Sequence, residues 1–228
     1  MSNSAKLRKT HSKIGGGKTI FNEGALQHER KLQDSVLKLK LELESIYPKL
    51  KFIHRKKLHL SVIAKKLGKT SWTPSSKDPY ISPDGGLLYL VWKGVEYPIL
   101  ISEAKKQGTN DERLLEGKKL QSKGNGIERA HKNAKEFSLY NKELNYNPYV
   151  IFACGCDFDK DSSIIDRLWH LTRFEPMNTN LSLFNEDVTS IYLKGHHYTE
   201  EPNFWNVSEI YEIMKEIATD ITNHIIKK

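Results

Sequence analysis

Residues 83–108 read PDGGLLYLVWKGVEYPILISEAKKQG. Two apolar runs of strand length, 86–92 and 96–104, flank Lys93-Gly94, a dipeptide suited to a tight hairpin turn. Side chains on a strand alternate faces, so Ile101, Glu103 and Lys105 share one side and Ser102 and Ala104 the other. The hairpin carries the end of the second strand back to the head of the first, where Asp84 stands. Two acids and a lysine are thus expected together at the end of an apolar run. Burial there costs charged groups free energy, so their presence needs a chemical reason.

Outward from this hairpin the chain alternates. Upstream, Leu32, Val36, Leu39, Leu43 and Ile46 recur in steps of four and three, which predicts a helix from about 23 to 46, closed by Pro48. KFIH (51–54) is a short strand candidate, and LSVIAKKLG (60–68) a short helix stopped by Gly68. Residues 69–80 read as an irregular crossing. Downstream, helices are expected near 110–120 and 125–144, the second with Ile127, Ala130, Ala134 and Phe137 on its buried face. YVIFACG (149–155) is a continuous apolar run, as in a strand covered on both faces. A helix near 161–171, a strand at 188–193 and a last helix from Asn206 follow, with Asn206 and Glu209 placed for a capping box. The pattern predicts an α/β domain with a mixed central β-sheet flanked by helices.

The 228 residues fit one domain, 1–228, with a basic arm over 1–22. The net charge of +8 is unevenly spread. Residues 1–70 hold 17 Lys or Arg against 5 Asp or Glu, and residues 141–228 hold 8 against 14. A basic N-terminal third fits a polyanion, nucleic acid before anionic membrane, although a solvated lysine-rich surface would look the same. No apolar stretch has membrane-helix length, and MSNSAKLRKTHSK lacks the apolar core of a secretory signal, so a cytoplasmic protein is expected. Cys154 and Cys156, the only cysteines, have no second pair or His cluster for zinc. GGGKT (15–19) imitates a phosphate loop but has Ser12 where glycine is required. CDFDKD (156–161) lacks the glycine and glutamate of a calcium loop. His131 and His196-His197 read as surface or capping residues, and Trp72, Trp169 and Trp205 as packing residues.

Two carboxylates with the carbonyl of residue 104 suit a hard divalent cation such as Mg²⁺. Such an ion polarises a phosphodiester and acidifies a bound water, and Lys105 adds positive charge beside the attacked phosphate. The plain alternative is a strand-end Glu–Lys pair near a turn aspartate, and spacing alone does not separate the two.

The motifs say more. Pro83-Asp84 followed by Glu103-Ala104-Lys105 resembles the PD-(D/E)xK nuclease signature. PDGG (83–86), EAKKQG (103–108), GNGIERAHKN (124–133), YPKLKF (47–52), DRLWHLT (166–172) and MNTNL (177–181) resemble, in order, segments of the EcoRI type of restriction endonuclease. The resemblance implies a restriction-endonuclease-like core in which Asp84 and Glu103 hold Mg²⁺ and Lys105 positions the attacking water. It implies cleavage of both strands of a short DNA palindrome, leaving 5′-phosphates, by a homodimer, with a DNA methyltransferase as functional partner and residues 1–22 wrapping DNA.

By the same resemblance Asn125, Gly126 and Arg129 read bases, and Gln121, Lys123, Arg167 and His170 also contact DNA. Glu128 couples the subunits by pairing with Arg129 across the dimer. Asn and Arg suit purine edges in the major groove, but Asn125 with Glu128 also fits a capping box, which would take the Asn oxygen for its own helix. His170 stands where the EcoRI type has an arginine, and Gln121 where it has an apolar residue. A histidine cannot reproduce arginine's fork. The resemblance therefore implies a target with an AATT core, and these departures imply an altered or unread flanking pair. A less specific repair nuclease and a non-catalytic DNA-binding protein on the same fold are the competing readings.

Overall fold

The computed structural model describes residues 17–69, 71–74, 77, 79–106, 125–158, 163–180, 183–196, 200–201 and 203–228. Among the described residues the strands are β1 (Lys51–Arg55), β2 (Leu58–His59), β3 (Tyr80–Ile81), β4 (Gly86–Trp92), β5 (Val95–Lys106), β6 (Tyr149–Gly155) and β7 (Ser190–Gly195). The helices are α1 (Gly17–Ile46), α2 (Leu60–Lys66), α3 (Asn125–Asn141), α4 (Ser163–Leu171) and α5 (Val207–Ile226). The expected helix at 110–120 lies outside the described residues, as do residues 1–16; α1 opens at Gly17, inside the segment read as an arm.

Five strands form one sheet in the order β1-β4-β5-β6-β7, and β2 pairs with β3 apart from it. The β1–β4 and β4–β5 pairs are antiparallel, whereas β5–β6 and β6–β7 are parallel, so the sheet is mixed as expected. Lys93 (φ 49°) and Gly94 (φ 78°) make the hairpin turn in the left-handed region that its twist requires. Each face of the sheet is covered. Leu32, Val36, Leu39 and Leu43 of α1 and Ile210, Met214, Ile217 and Ile221 of α5 pack on one side. Ile127, Ala130, Ala134 and Phe137 of α3 and Ile164 and Leu168 of α4 pack on the other. Double coverage explains why YVIFACG is buried at every position. Asn206 caps α5 through the reciprocal box with Glu209. Ile46 is exposed because α1 ends on it, and Trp72, expected to pack, is 43% exposed on the irregular crossing. No helix among the described residues is long and apolar enough to cross a membrane.

One irregularity decides where the charges point. Leu88 pairs with Leu100 but Tyr89 with Pro98, so Ile99 is an extra residue, a β-bulge beside a proline that has no N–H to give the ladder. Tyr97, Ile99 and Leu100 all face the α1 side, two of them consecutive. The bulge resets the alternation, and Ile101 turns to the α3 side. Without it, Glu103 and Lys105 would face the α1 core.

Candidate active site

Asp84 sits in a turn closed by the Gly86 N–H donating to the Pro83 carbonyl at 3.0 Å. Gly86 has φ +79°, and a Cβ there would lie 2.4 Å from His54 Nε2 and 2.7 Å from the Arg55 carbonyl. A Cβ on Gly85 would lie 2.0 Å from Ser102 Oγ. The glycine pair after Asp84 is therefore required by close approach to β1 and β5. Long-range bonds pin the turn: Gln33 Nε2 donates to the Asp84 carbonyl at 3.1 Å, His54 Nε2 lies 3.0 Å from the Gly85 carbonyl, and the Gly85 N–H reaches the Ser102 carbonyl at 3.0 Å.

The structure brings Asp84, Glu103 and Lys105 together. Asp84 Oδ2 accepts the Ala104 N–H at 2.9 Å and lies 3.9 Å from Lys105 Nζ, which donates to Glu103 Oε1 at 2.5 Å. Asn133 Nδ2 of α3 also donates to Glu103 Oε1, at 3.2 Å. Glu103 is 4% exposed, and its Oε2 is buried with no hydrogen-bond partner among the described residues. Burial raises the pKa of Glu103 above the ordinary carboxylate range; Lys105 pulls it back and the charge of Asp84 raises it further. Asp84 is raised too, by burial, against the pull of Lys105 and the Ala104 N–H. Burial and these two carboxylates push the Tyr149 phenol well above its ordinary value, so it stays protonated.

One buried and one half-buried acid served by one lysine leave a deficit of positive charge. The ligands on offer are all oxygens, and one carboxylate oxygen, Glu103 Oε2, is buried without a partner among the described residues. Those features fit a hard divalent cation, and a cation would reverse the upward shift of both acids. Among the described residues no three His, Cys, Asp or Glu gather to form a fuller cage. Glu29 of α1 borders the cleft beside Asp84, and burial and the Asp84 charge raise its pKa. Sequence reasoning passed over Glu29, Gln33, His54 and Asn133, since nothing local marks them; only for Asn133 did a signal exist, its place two turns beyond Asn125 on one helix.

Of the residues expected to read DNA, Asn125, Gly126 and Arg129 belong to α3 and Arg167 and His170 to α4. Asn125 and Gly126 open α3, but their side chains, and Gln121 and Lys123 altogether, lie outside the described residues. Arg129, Arg167 and His170 are exposed. Glu128 Oε1 lies 3.9 Å from Arg167 Nη1 of its own chain. The His170 ring stacks on His131, with centroids 5.4 Å apart and planes at 26°. A groove of about 560 Å³ runs between the helices, bordered by Glu128, His131, Lys132, Arg167 and His170.

The family model of restriction endonuclease EcoRI matches residues 14–228. The chain is 31% identical over 261 residues to the type II restriction enzyme EcoRI of Escherichia coli, covering 95% of this chain and 92% of that enzyme. It is also 31% identical over 172 residues to the type II restriction enzyme RsrI of Cereibacter sphaeroides, covering 68% of this chain and 61% of the relative. With a mixed sheet carrying an aspartate turn and a Glu-Ala-Lys strand end at its centre, the chain belongs to the EcoRI family of restriction endonucleases.

Proposed function

We propose that the protein cuts both strands of duplex DNA at a short palindrome with an AATT core, using Mg²⁺ and leaving 5′-phosphates. The observation that carries this reading is the convergence of Asp84, Glu103 and Lys105, in which Lys105 binds one Glu103 oxygen and the other is buried without a partner among the described residues. Asp84 and Glu103 would hold the ion, with water completing its shell. Bound there, Mg²⁺ supplies charge neutralisation of the phosphate and a water of lowered pKa.

The chain's own residues do the positioning. Lys105 Nζ, held by Glu103 at 2.5 Å and within 3.9 Å of Asp84, faces the phosphate as a positive charge fixed in place by two acids. The Ala104 N–H holds Asp84 Oδ2, and Asn133 holds Glu103 Oε1, so both carboxylates meet the substrate already oriented. Burial keeps the local dielectric low and strengthens each of these interactions.

Asn125, Gly126 and Arg129 read the inner bases from the start of α3, with Gln121, Lys123, Arg167 and His170 bordering them. A palindrome calls for a two-fold homodimer, one active site per strand, in which Glu128 links the subunits and residues 1–22 wrap the DNA as an arm of a single endonuclease domain. A companion methyltransferase would protect the host, in the cytoplasm where both act on the genome. Plasmids carrying GAATTC, CAATTG or bare AATT, incubated with Mg²⁺ and followed by sequencing of the ends, test the reading. Discrete fragments cut at AATT with an altered flank support it. A clean preference for GAATTC removes the specificity reading, a smear favours an unspecific repair nuclease, and a gel shift without cutting favours a DNA-binding protein.

A further inference from the structure

β5 ends on two consecutive lysines, and alternation sends them to opposite faces of the sheet. Lys105 meets Glu103 on the α3 side. Lys106 goes the other way, its ammonium 4.4 Å from the centre of the Phe204 ring. There a cavity of about 80 Å³ is bounded by His28 and Lys31 of α1, Lys106, Cys154 of β6, and Phe204 and Trp205 ahead of α5. No carboxylate lines it among the described residues.

Its walls are held in place. The His28 ring is buried and its Nε2 lies 3.1 Å from the Phe152 carbonyl, so Nε2 is the donor. Lys31 Nζ donates to the Trp205 carbonyl at 2.9 Å, which leaves two ammonium protons for another acceptor. The Trp205 indole is itself fixed by its Nε1 bond to the Ala153 carbonyl at 2.9 Å. Burial, aided by the charges of Lys31, Lys106 and Lys105, holds the His28 imidazole below its ordinary pKa. Burial pushes the Cys154 thiol up to about 11, so it supplies no counter-charge. Two ammoniums therefore face a small recess whose other walls are neutral.

We propose that this recess takes one phosphate of the DNA backbone, clamped between Lys31 and Lys106, on the sheet face opposite the catalytic acids. An oxyanion matches two ammoniums with no acid between them. Lys106 adjoins Lys105 in the chain, which places the recess at the sheet end where the scissile strand would lie. The inference rests on the reading of the protein as a DNA-cutting enzyme, and it adds a contact that anchors the strand without reading its sequence.

The test is the salt dependence of binding to an AATT-containing duplex in EDTA, from 50 to 200 mM salt, for the wild type, Lys106→Gln, Lys31→Gln and the double variant. Each phosphate contact contributes about 0.9 to the slope of log affinity against log salt. Either single variant is expected to lose about 0.9, so that its penalty is ~3.5-fold larger at 50 mM than at 200 mM. The double variant is expected to lose no more than either single one, because both lysines hold the same phosphate. Lys40→Gln, which removes an α1 lysine paired with Glu44, should leave the slope alone. Unchanged slopes in both single variants, or a double variant losing twice as much, overturn the clamp. A wild type that fails to bind the duplex at all defeats the nuclease reading beneath it instead.

Discussion

Asp84, Glu103 and Lys105 stand on strand ends with side chains 23, 5 and 14% exposed, whereas Arg167 on α4 is 49% exposed and Arg129 and His170 lie open to solvent beside it. The first group is locked by backbone bonds, a glycine turn and a bulge; the second is held by little beyond the helices that carry it. In a buried cluster each partner sets the others' charge and position, so one change spreads through all of them. On an exposed helix face a substitution leaves the core untouched. That contrast would let His170 stand where the resemblance expects an arginine, in a chain that keeps every residue of the PD…EAK motif.

The sharpest way to break this comparison is to neutralise one strand acid. Asp84→Asn keeps the size of the side chain and removes its charge. Cleavage should fall by about 10²–10³ or more, as for other preorganised electrostatic groups, while binding to duplex DNA in EDTA is kept or tightened because a negative charge has left the cleft. Single-turnover cleavage and a binding titration read the two separately. A variant that cuts within tenfold of wild type would remove the chemistry from these strands.

Next in size is Asn133→Ala, which tests whether the two regions are mechanically joined. Asn133 lies on the same helix as Asn125 and Arg129, and donates to Glu103 Oε1 at 3.2 Å. Loss of a residue that orients a metal-binding carboxylate costs roughly 10–100-fold in metal affinity or activity. The Mg²⁺ concentration for half-maximal cleavage should rise, with EDTA-state DNA affinity little changed. A purely structural role would move the melting temperature and leave the Mg²⁺ dependence where it was.

How much of this was legible in the sequence follows the same division. The strands at 86–92 and 149–155 and the Asn206 cap could be read because each is written in adjacent residues: an apolar run, a turn dipeptide, a capping box. Asp84, Glu103 and Lys105 could be paired because a hairpin is local. The bulge at Ile99 was not legible, since Pro98 permits one without demanding it, and the strand's alternation was read correctly only from Ile101 onward. Gln33 and His54 were invisible for a different reason, and Asn133 was marked only by its place on the helix of Asn125: each touches a partner 30 or more residues away, a distance no periodicity encodes. The His131–His170 stack joins two helices in the same way, which is why His131 passed for an ordinary surface residue.

His170→Arg sharpens the comparison from the helix side. An arginine restores the fork that suits guanine, worth about 1–3 kcal/mol of discrimination at one base pair. Relative cutting of GAATTC over CAATTG should rise, with the rate on the best site nearly unchanged. If the ratio stays put, position 170 does not border the outer pair, and His131 stacking is its whole role.

The smallest effect is on stability, and its sign is the informative part. Burial raises the Glu103 pKa in the folded state despite Lys105. The fold then binds the proton more tightly than the unfolded chain, so stability is full below the ordinary carboxylate range and is lost as pH rises through the raised folded value. Glu103→Gln removes that cost at neutral pH, where the wild type must either bury the charge or take up a proton. In EDTA at pH 7 the variant should melt higher, by a few degrees if about 2–4 °C accompanies each ~1 kcal/mol in a domain this size. The gain should fade as pH drops below the ordinary carboxylate range, where both proteins carry a neutral group. A variant that melts lower at pH 7 would mean that the Lys105 pair more than offsets burial, and that the strand acids stabilise the fold rather than strain it for catalysis.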